Sequence, residues 1–183
     1  FMAFTVTDGR IVEIEVLVIL DGDHAAVRLP AGRGDRFVFG LDPLQGHLPA
    51  VRAAGPDAVV VHDFSWSRDQ VRPGFFTPEE RAVYPPVRHR LVRANPVNGR
   101  RALFLGAHAS HVEGRPVDEG RALLRTLLEH VTQPAFVYRH EWQEGDLVVW
   151  DNRCVLHRAT PFDTERYRRL MQRTTIAGDP AEP

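Results

Sequence analysis

The residues whose types could do chemistry gather near the C-terminus. His157 lies within WDNRCVLHR, and Arg168, Arg169 and Arg173 lie within RRLMQRTTI. An imidazole can hold a metal ion or carry a proton near neutral pH. A guanidinium is a permanently charged planar fork that grips a carboxylate through two parallel hydrogen bonds. Taken alone, a histidine in such a place is more often a buried side chain satisfied by the backbone, and Arg173 could equally be a solvated surface cation. Cys154 and His157 form a Cys-x-x-His pair, but no second ligand pair has zinc spacing, so Cys154 reads as a packed thiol.

The elements that must position these residues are legible from local patterning. Asp151, Asn152 and Arg153 read as a turn that presents His157, because Asp and Asn side chains bond nearby backbone amides. Before it, alternation in FVYRHEW, the turn QEGD and the apolar run Leu147 to Trp150 predict a β-hairpin. Leu123, Leu124, Leu127, Leu128 and Val131 fall on one face of a helix predicted over 118–131. Ala102 to Leu105 reads as a buried strand, and RRLMQRTTI as a last strand. In FTPEERA, Thr77, Pro78 and Glu80 make a capping box that should start a short helix. Near the N-terminus, β-branched runs around Asp8-Gly9 predict a β-hairpin over residues 2–20, and the Gly/Pro/Asp-rich stretch 21–56 reads as loops around a short strand at Phe37 to Phe39.

Composition narrows the class. The 183 residues suffice for one domain with a real core, and 43% hydrophobic with 26% charged residues is ordinary for a globular chain. All 23 basic residues are Arg and balance 24 acidic ones, which argues against a nucleic-acid footprint. The single cysteine excludes an internal disulfide framework. No apolar run reaches the roughly 18 residues of a spanning helix. The expectation is a cytoplasmic protein that binds neither membrane nor nucleic acid.

The segment GDLVVWDNRCVLHRATPFD followed by RRLMQRTTIAGD is similar to the C-terminal signature of the TauD/TfdA iron(II)- and 2-oxoglutarate-dependent dioxygenases. NGRRALFLGAHAS, the helix and TQPAFVYRHEW occur in the family's order, and HDFSWSRDQ, FTPEER and PPVRHRLVR extend the match back to residue 60. The resemblance implies a mainly β fold with α: a partial double-stranded β-helix of jelly-roll or cupin type, with one amphipathic helix packed on the sheet. It divides the chain into an atypical N-terminal segment, 1–49, and a dioxygenase-like region, 50–183.

The resemblance also implies roles. His157 stands where the family places its distal metal-binding histidine. Arg169 stands where a guanidinium pairs with the distal carboxylate of 2-oxoglutarate; Arg168 is the alternative, since spacing from the histidine can vary by one residue. Arg173 stands where members acting on anionic substrates bind the charged group. Fe(II) and 2-oxoglutarate are the implied cofactor and cosubstrate, with no catalytic residue beyond the metal site. The implied reaction hydroxylates a small, anionic substrate while 2-oxoglutarate is decarboxylated to succinate.

In one respect the chain departs from the family, which holds its metal with two imidazoles and a carboxylate on one face. Two of those ligands come from an upstream His-x-Asp or His-x-Glu pair. No His-x-Asp occurs in these residues, and the only His-x-Glu, His111-Val112-Glu113, follows a strand that carries no ligand in the family. His62 and Asp63 are adjacent, so on a strand they point to opposite faces. The expectation is an incomplete iron site. The alternatives are a non-catalytic β-helix domain that binds a carboxylate or a protein partner, and a site completed by an upstream partner chain; self-association into a homo-oligomer is a separate expectation.

Overall fold

A computed structural model describes residues 2–6, 13–18, 49–94, 99, 101–142, 146–153, 155–163, 165–166 and 171–176. The chain divides into two compact units, one of Phe1–Leu44 with Val131–Pro183 and one of Gln45–His130. The architecture is mainly β with helices.

In the first unit, β1 (Met2–Val6) and β2 (Glu13–Val18) are extended, as the β-branched pattern predicts. They do not form the expected hairpin. β1 lies between β9 (Leu147–Trp150) and β11 (Met171–Thr175), and β2 lies between β8 (Val137–Glu141) and β10 (Val155–Ala159), all antiparallel. The reason is edge satisfaction: a two-stranded hairpin is marginal in water, whereas a strand inserted between two others satisfies both of its hydrogen-bonding edges. The register sets Glu15 level with Arg158 on one side and Arg139 on the other.

The two strands expected as a hairpin over FVYRHEW and Leu147 to Trp150 form as β8 and β9 but do not pair with each other: β8 pairs with β2 and β9 with β1, in separate sheets, because the inserted N-terminal strands take their hydrogen-bonding edges. Between them, His140 Nε2 and Asp146 Oδ2 form a buried pair at 3.0 Å, and the fully buried Trp142 meets the His140 ring edge-on at 4.7 Å. Burying a side chain of this size contributes about 2–3 kcal/mol.

In the second unit, the sheet order is β4 (Val87–Arg90), β3 (Val59–His62), β7 (Ala109–Val112), with β3 central and buried from Val60 to His62. A second ribbon pairs β5 (Val92–Ala94) with β6 (Arg101–Leu103). The predicted amphipathic helix is α4 (Val117–Val131), with Leu124, Leu127 and Val131 buried. It crosses β7 so closely that a Cβ on Gly120 would lie 2.8 Å from the Val112 backbone nitrogen.

Two short helices were not expected. α1 (Pro49–Ala54) occupies part of the stretch that reads as loop, ending at Gly55 with φ +92°; Ala-rich sequence favours it, but six residues show no apolar period. α2 (Phe64–Val71) starts at Asp63, whose carboxylate accepts from the Trp66 amide at 2.8 Å. α3 (Pro78–Val83) carries the predicted capping box, with Thr77 and Glu80 bonded reciprocally. The strand expected at Phe37 to Phe39 lies outside the described residues. No described helix is long and apolar enough to cross a membrane.

Candidate active site

β9 delivers Trp150 into the first unit, 3% exposed, and the chain then turns through Asp151 to Arg153. The turn is held as its residue types suggest. Asp151 Oδ1 accepts the Arg153 amide at 2.9 Å, and the same carboxylate takes the Arg153 guanidinium at 2.7 Å through Oδ2. Burial works to raise the Asp151 carboxyl, but the hydrogen bonds and charge of Arg153 outweigh it and hold the group below the usual range. The Trp150 indole N–H donates to Asn152 Oδ1 at 2.9 Å, which ties the ring to the turn.

β10 then presents His157. Its ring lies 4.6 Å from the Trp150 ring, inclined by 48°. The imidazole is exposed and makes no hydrogen bond among the described residues. Packing at its inner side desolvates it, and the Arg173 charge adds to that, so its pKa falls below the ordinary value. At neutral pH the ring is therefore uncharged, with a nitrogen lone pair to offer.

Arg173 approaches from the other sheet of the same unit. The register aligns Arg173 with Phe4 and Phe4 with Val148, so Arg173 shares the sheet face from which the buried Val148 and Trp150 project. Arg173 itself is exposed. His157, Trp150 and Arg173 are thus brought together. Arg168, Arg169 and Cys154 lie outside the described residues.

A second histidine group occupies the other unit. β3 and β7 shift register between Val61 and His62, a bulge that turns His62 toward Phe104 at 5.2 Å and His89 at 5.5 Å. His62 is 9% exposed, and its Nε2 is buried without a partner. Burial first, then the charges of His89, His108 and Arg93, lower its pKa to about 4. His89 Nδ1 is likewise buried and unpartnered. His108 Nδ1 lies 2.7 Å from Ser67 Oγ.

The other metal-ligand candidates are engaged elsewhere. Asp63 caps α2 while His62 points into the cluster, so the adjacent pair serves two separate purposes. Glu113 pairs with Arg88 at 2.7 Å, and His111 Nδ1 lies 2.9 Å from Ser110 Oγ. Among the described residues no group of three or more His, Cys, Asp or Glu side chains could hold a metal ion.

The family model of the taurine catabolism dioxygenase TauD, TfdA family matches residues 57–175. The chain belongs to the TauD/TfdA family. It is 56% identical over 101 residues to an alpha-ketoglutarate-dependent 2,4-dichlorophenoxyacetate dioxygenase of Burkholderia sp. (strain RASC), an alignment covering 55% of this chain and 34% of that protein. It is 45% identical over 91 residues to the (S)-phenoxypropionate/alpha-ketoglutarate-dioxygenase of Sphingobium herbicidovorans, covering 50% of this chain and 31% of the relative. The crystal structure of AAD-2 in complex with Mn(II) and N-oxalylglycine superposes with a TM-score of 0.78 at 33% identity, over 100% of this chain and 63% of that one. The aligned part of this TauD/TfdA chain thus spans about a third of the length of these two curated relatives.

Trp150 is the site residue that reasoning from the sequence left unassigned. The signal was present: it opens the WDNR turn, two residues before the Asn that its indole binds.

Proposed function

We propose that this chain carries the distal portion of an iron(II)- and 2-oxoglutarate-dependent dioxygenase site that acts on a small, carboxylate-bearing substrate. The observation that carries the reading is His157: an exposed, uncharged imidazole with no hydrogen bond among the described residues, seated against Trp150 and facing the charge of Arg173. A histidine kept only for packing would be buried and bonded. His157 is assigned as a metal ligand, Arg173 as the anchor of the substrate's carboxylate, and Arg169, with Arg168 as the alternative, as the partner of 2-oxoglutarate. Trp150 and the Asp151–Arg153 turn hold the imidazole's orientation.

Iron(II), held by two imidazoles and a carboxylate, would supply oxidative decarboxylation of 2-oxoglutarate coupled to substrate hydroxylation. The described residues provide one such donor, so they do not fit a complete triad. The reading accordingly has the second imidazole and the carboxylate come from outside the described residues. That the N-terminal strands insert between C-terminal ones in both sheets supports assigning the first unit to a double-stranded β-helix. The names of the two phenoxyalkanoate-acting relatives favour a carboxylate over other anions.

An anaerobic iron titration followed by a succinate assay tests the proposal. The chain alone should bind iron(II) weakly and form little succinate, because one imidazole leaves most coordination positions to water. Stoichiometric iron with substrate-stimulated succinate, abolished by His157→Ala, would overturn the incomplete-site reading and direct attention to His111 and Glu113. Carboxylate binding that neither iron nor His157→Ala affects would favour a non-catalytic binding domain instead.

A further inference from the structure

The second unit contains a recess that none of the roles above uses. It lies between α2, the 105–110 segment and α4, with a volume of about 380 Å³, inside the size range of small-molecule sites. Small residues create it: Gly106, Ala107 and Ala109 leave one wall without side-chain bulk. Leu105 and Leu124, each 6% exposed, line it together with Leu128.

Two guanidinium groups border this apolar floor, from Arg121 and Arg125, one helical turn apart on α4. Arg121 is held by two contacts, lying over the Trp66 ring at 5.3 Å and donating from Nε to the Ser110 carbonyl at 3.3 Å. Arg125 is exposed and makes no hydrogen bond or ion pair among the described residues. Like charges at this spacing repel, and the one acidic residue at the rim, Asp118, offsets only one of them. The rim is left with one uncompensated positive charge above a hydrophobic floor.

We propose that this recess binds a small organic monocarboxylate with an apolar body, of the size of a substituted benzoate. The apolar body covers Leu105, Leu124 and Leu128 and gains by leaving water. The carboxylate accepts hydrogen bonds from Arg125 and from the free edge of the Arg121 fork, whose position the Trp66 ring fixes in advance. A monoanion balances the rim; a second negative charge would meet Asp118. All the lining residues belong to the second unit, and none is shared with His157, Trp150 or Arg173. The site is therefore additional to the proposed dioxygenase centre and stands or falls separately from it.

Benzoate titrated into the full chain, followed through the indole N–H resonance of Trp66, tests the proposal. A saturable shift is expected, with benzamide, the uncharged isostere, binding about tenfold more weakly or worse. Arg125→Gln should weaken benzoate by a similar factor, Ala107→Leu should block the recess, and His157→Ala should leave the affinity unchanged. The benzamide comparison requires no substitution, so it decides the matter even where a variant folds poorly. Equal binding of benzamide and benzoate, no saturable Trp66 shift, or binding lost in His157→Ala but kept in Arg125→Gln would each overturn the assignment.

Discussion

His157 and His62 are the same residue type, each on a β-strand and each with a pKa lowered mainly by burial, yet their surroundings differ. His62 is 9% exposed, with its ring edge-on to His89 and tilted against Phe104. His157 is exposed, makes no hydrogen bond among the described residues and faces the charge of Arg173. Desolvation alone therefore does not mark a functional histidine. What separates the two is whether an approaching ligand can reach the lone pair that desolvation keeps free.

The largest expected contrast is in stability. His62→Ala removes a buried ring and leaves a cavity beside Phe104 and His89, and should cost about 2–3 kcal/mol in urea unfolding. His157→Ala should change stability by no more than about 0.5 kcal/mol, as an exposed substitution does. Similar losses for the two variants would erase the distinction.

A somewhat smaller effect concerns pH. The folded pKa of His62, about 4, lies below its ordinary value of 6.5, so the unfolded chain takes up this proton first as pH falls. The contribution of a neutral His62 is complete above pH 6.5, declines as pH falls toward 4 and is gone below that. It amounts to on the order of 2 kcal/mol after allowance for solvent relaxation. His62→Leu should flatten the stability profile across this window, measured by denaturation at successive pH values, while His157→Ala leaves most of the slope. An unchanged slope in His62→Leu would show that other groups carry it.

The smallest effect is the most specific. Arg173→Gln removes a charge that lowers the His157 pKa, so the pKa should rise, but it should stay below its ordinary value because desolvation, the larger cause, remains. An NMR titration of the His157 ring protons reads this directly. A fall, or no change, would mean that Arg173 does not face the imidazole.

Much of this organisation was legible in the sequence where local chemistry decides the structure. The Thr77 capping box, the 15-residue helix α4 and the Asp151 turn all depend on residues close in sequence, whereas β8 and β9, expected as a hairpin, part into separate sheets. The pairing of β1 and β2 was not, because Asp8-Gly9 signals a turn while the choice of partner is made by strands more than a hundred residues away. The His62 cluster was equally hidden. Its members come from β3, β4 and the segment after β6, and only the sheet register and the bulge bring them together. The His157 neighbourhood was half legible. The WDNR turn announces the histidine, whereas the approach of Arg173 depends on β1 bridging β11 to β9.

The central claim is that His157, and not the buried histidine cluster, is the lone pair open to a metal ion. Paramagnetic broadening by Mn(II) tests it most directly, with the nine histidine ring signals followed as Mn(II) and 2-oxoglutarate are added. The account predicts that the His157 ring signals broaden first, only at high Mn(II) concentration, and that those of His62 and His89 stay sharp. Broadening of His62 and His89 ahead of His157, or a His157 signal untouched at the highest concentration, would contradict it.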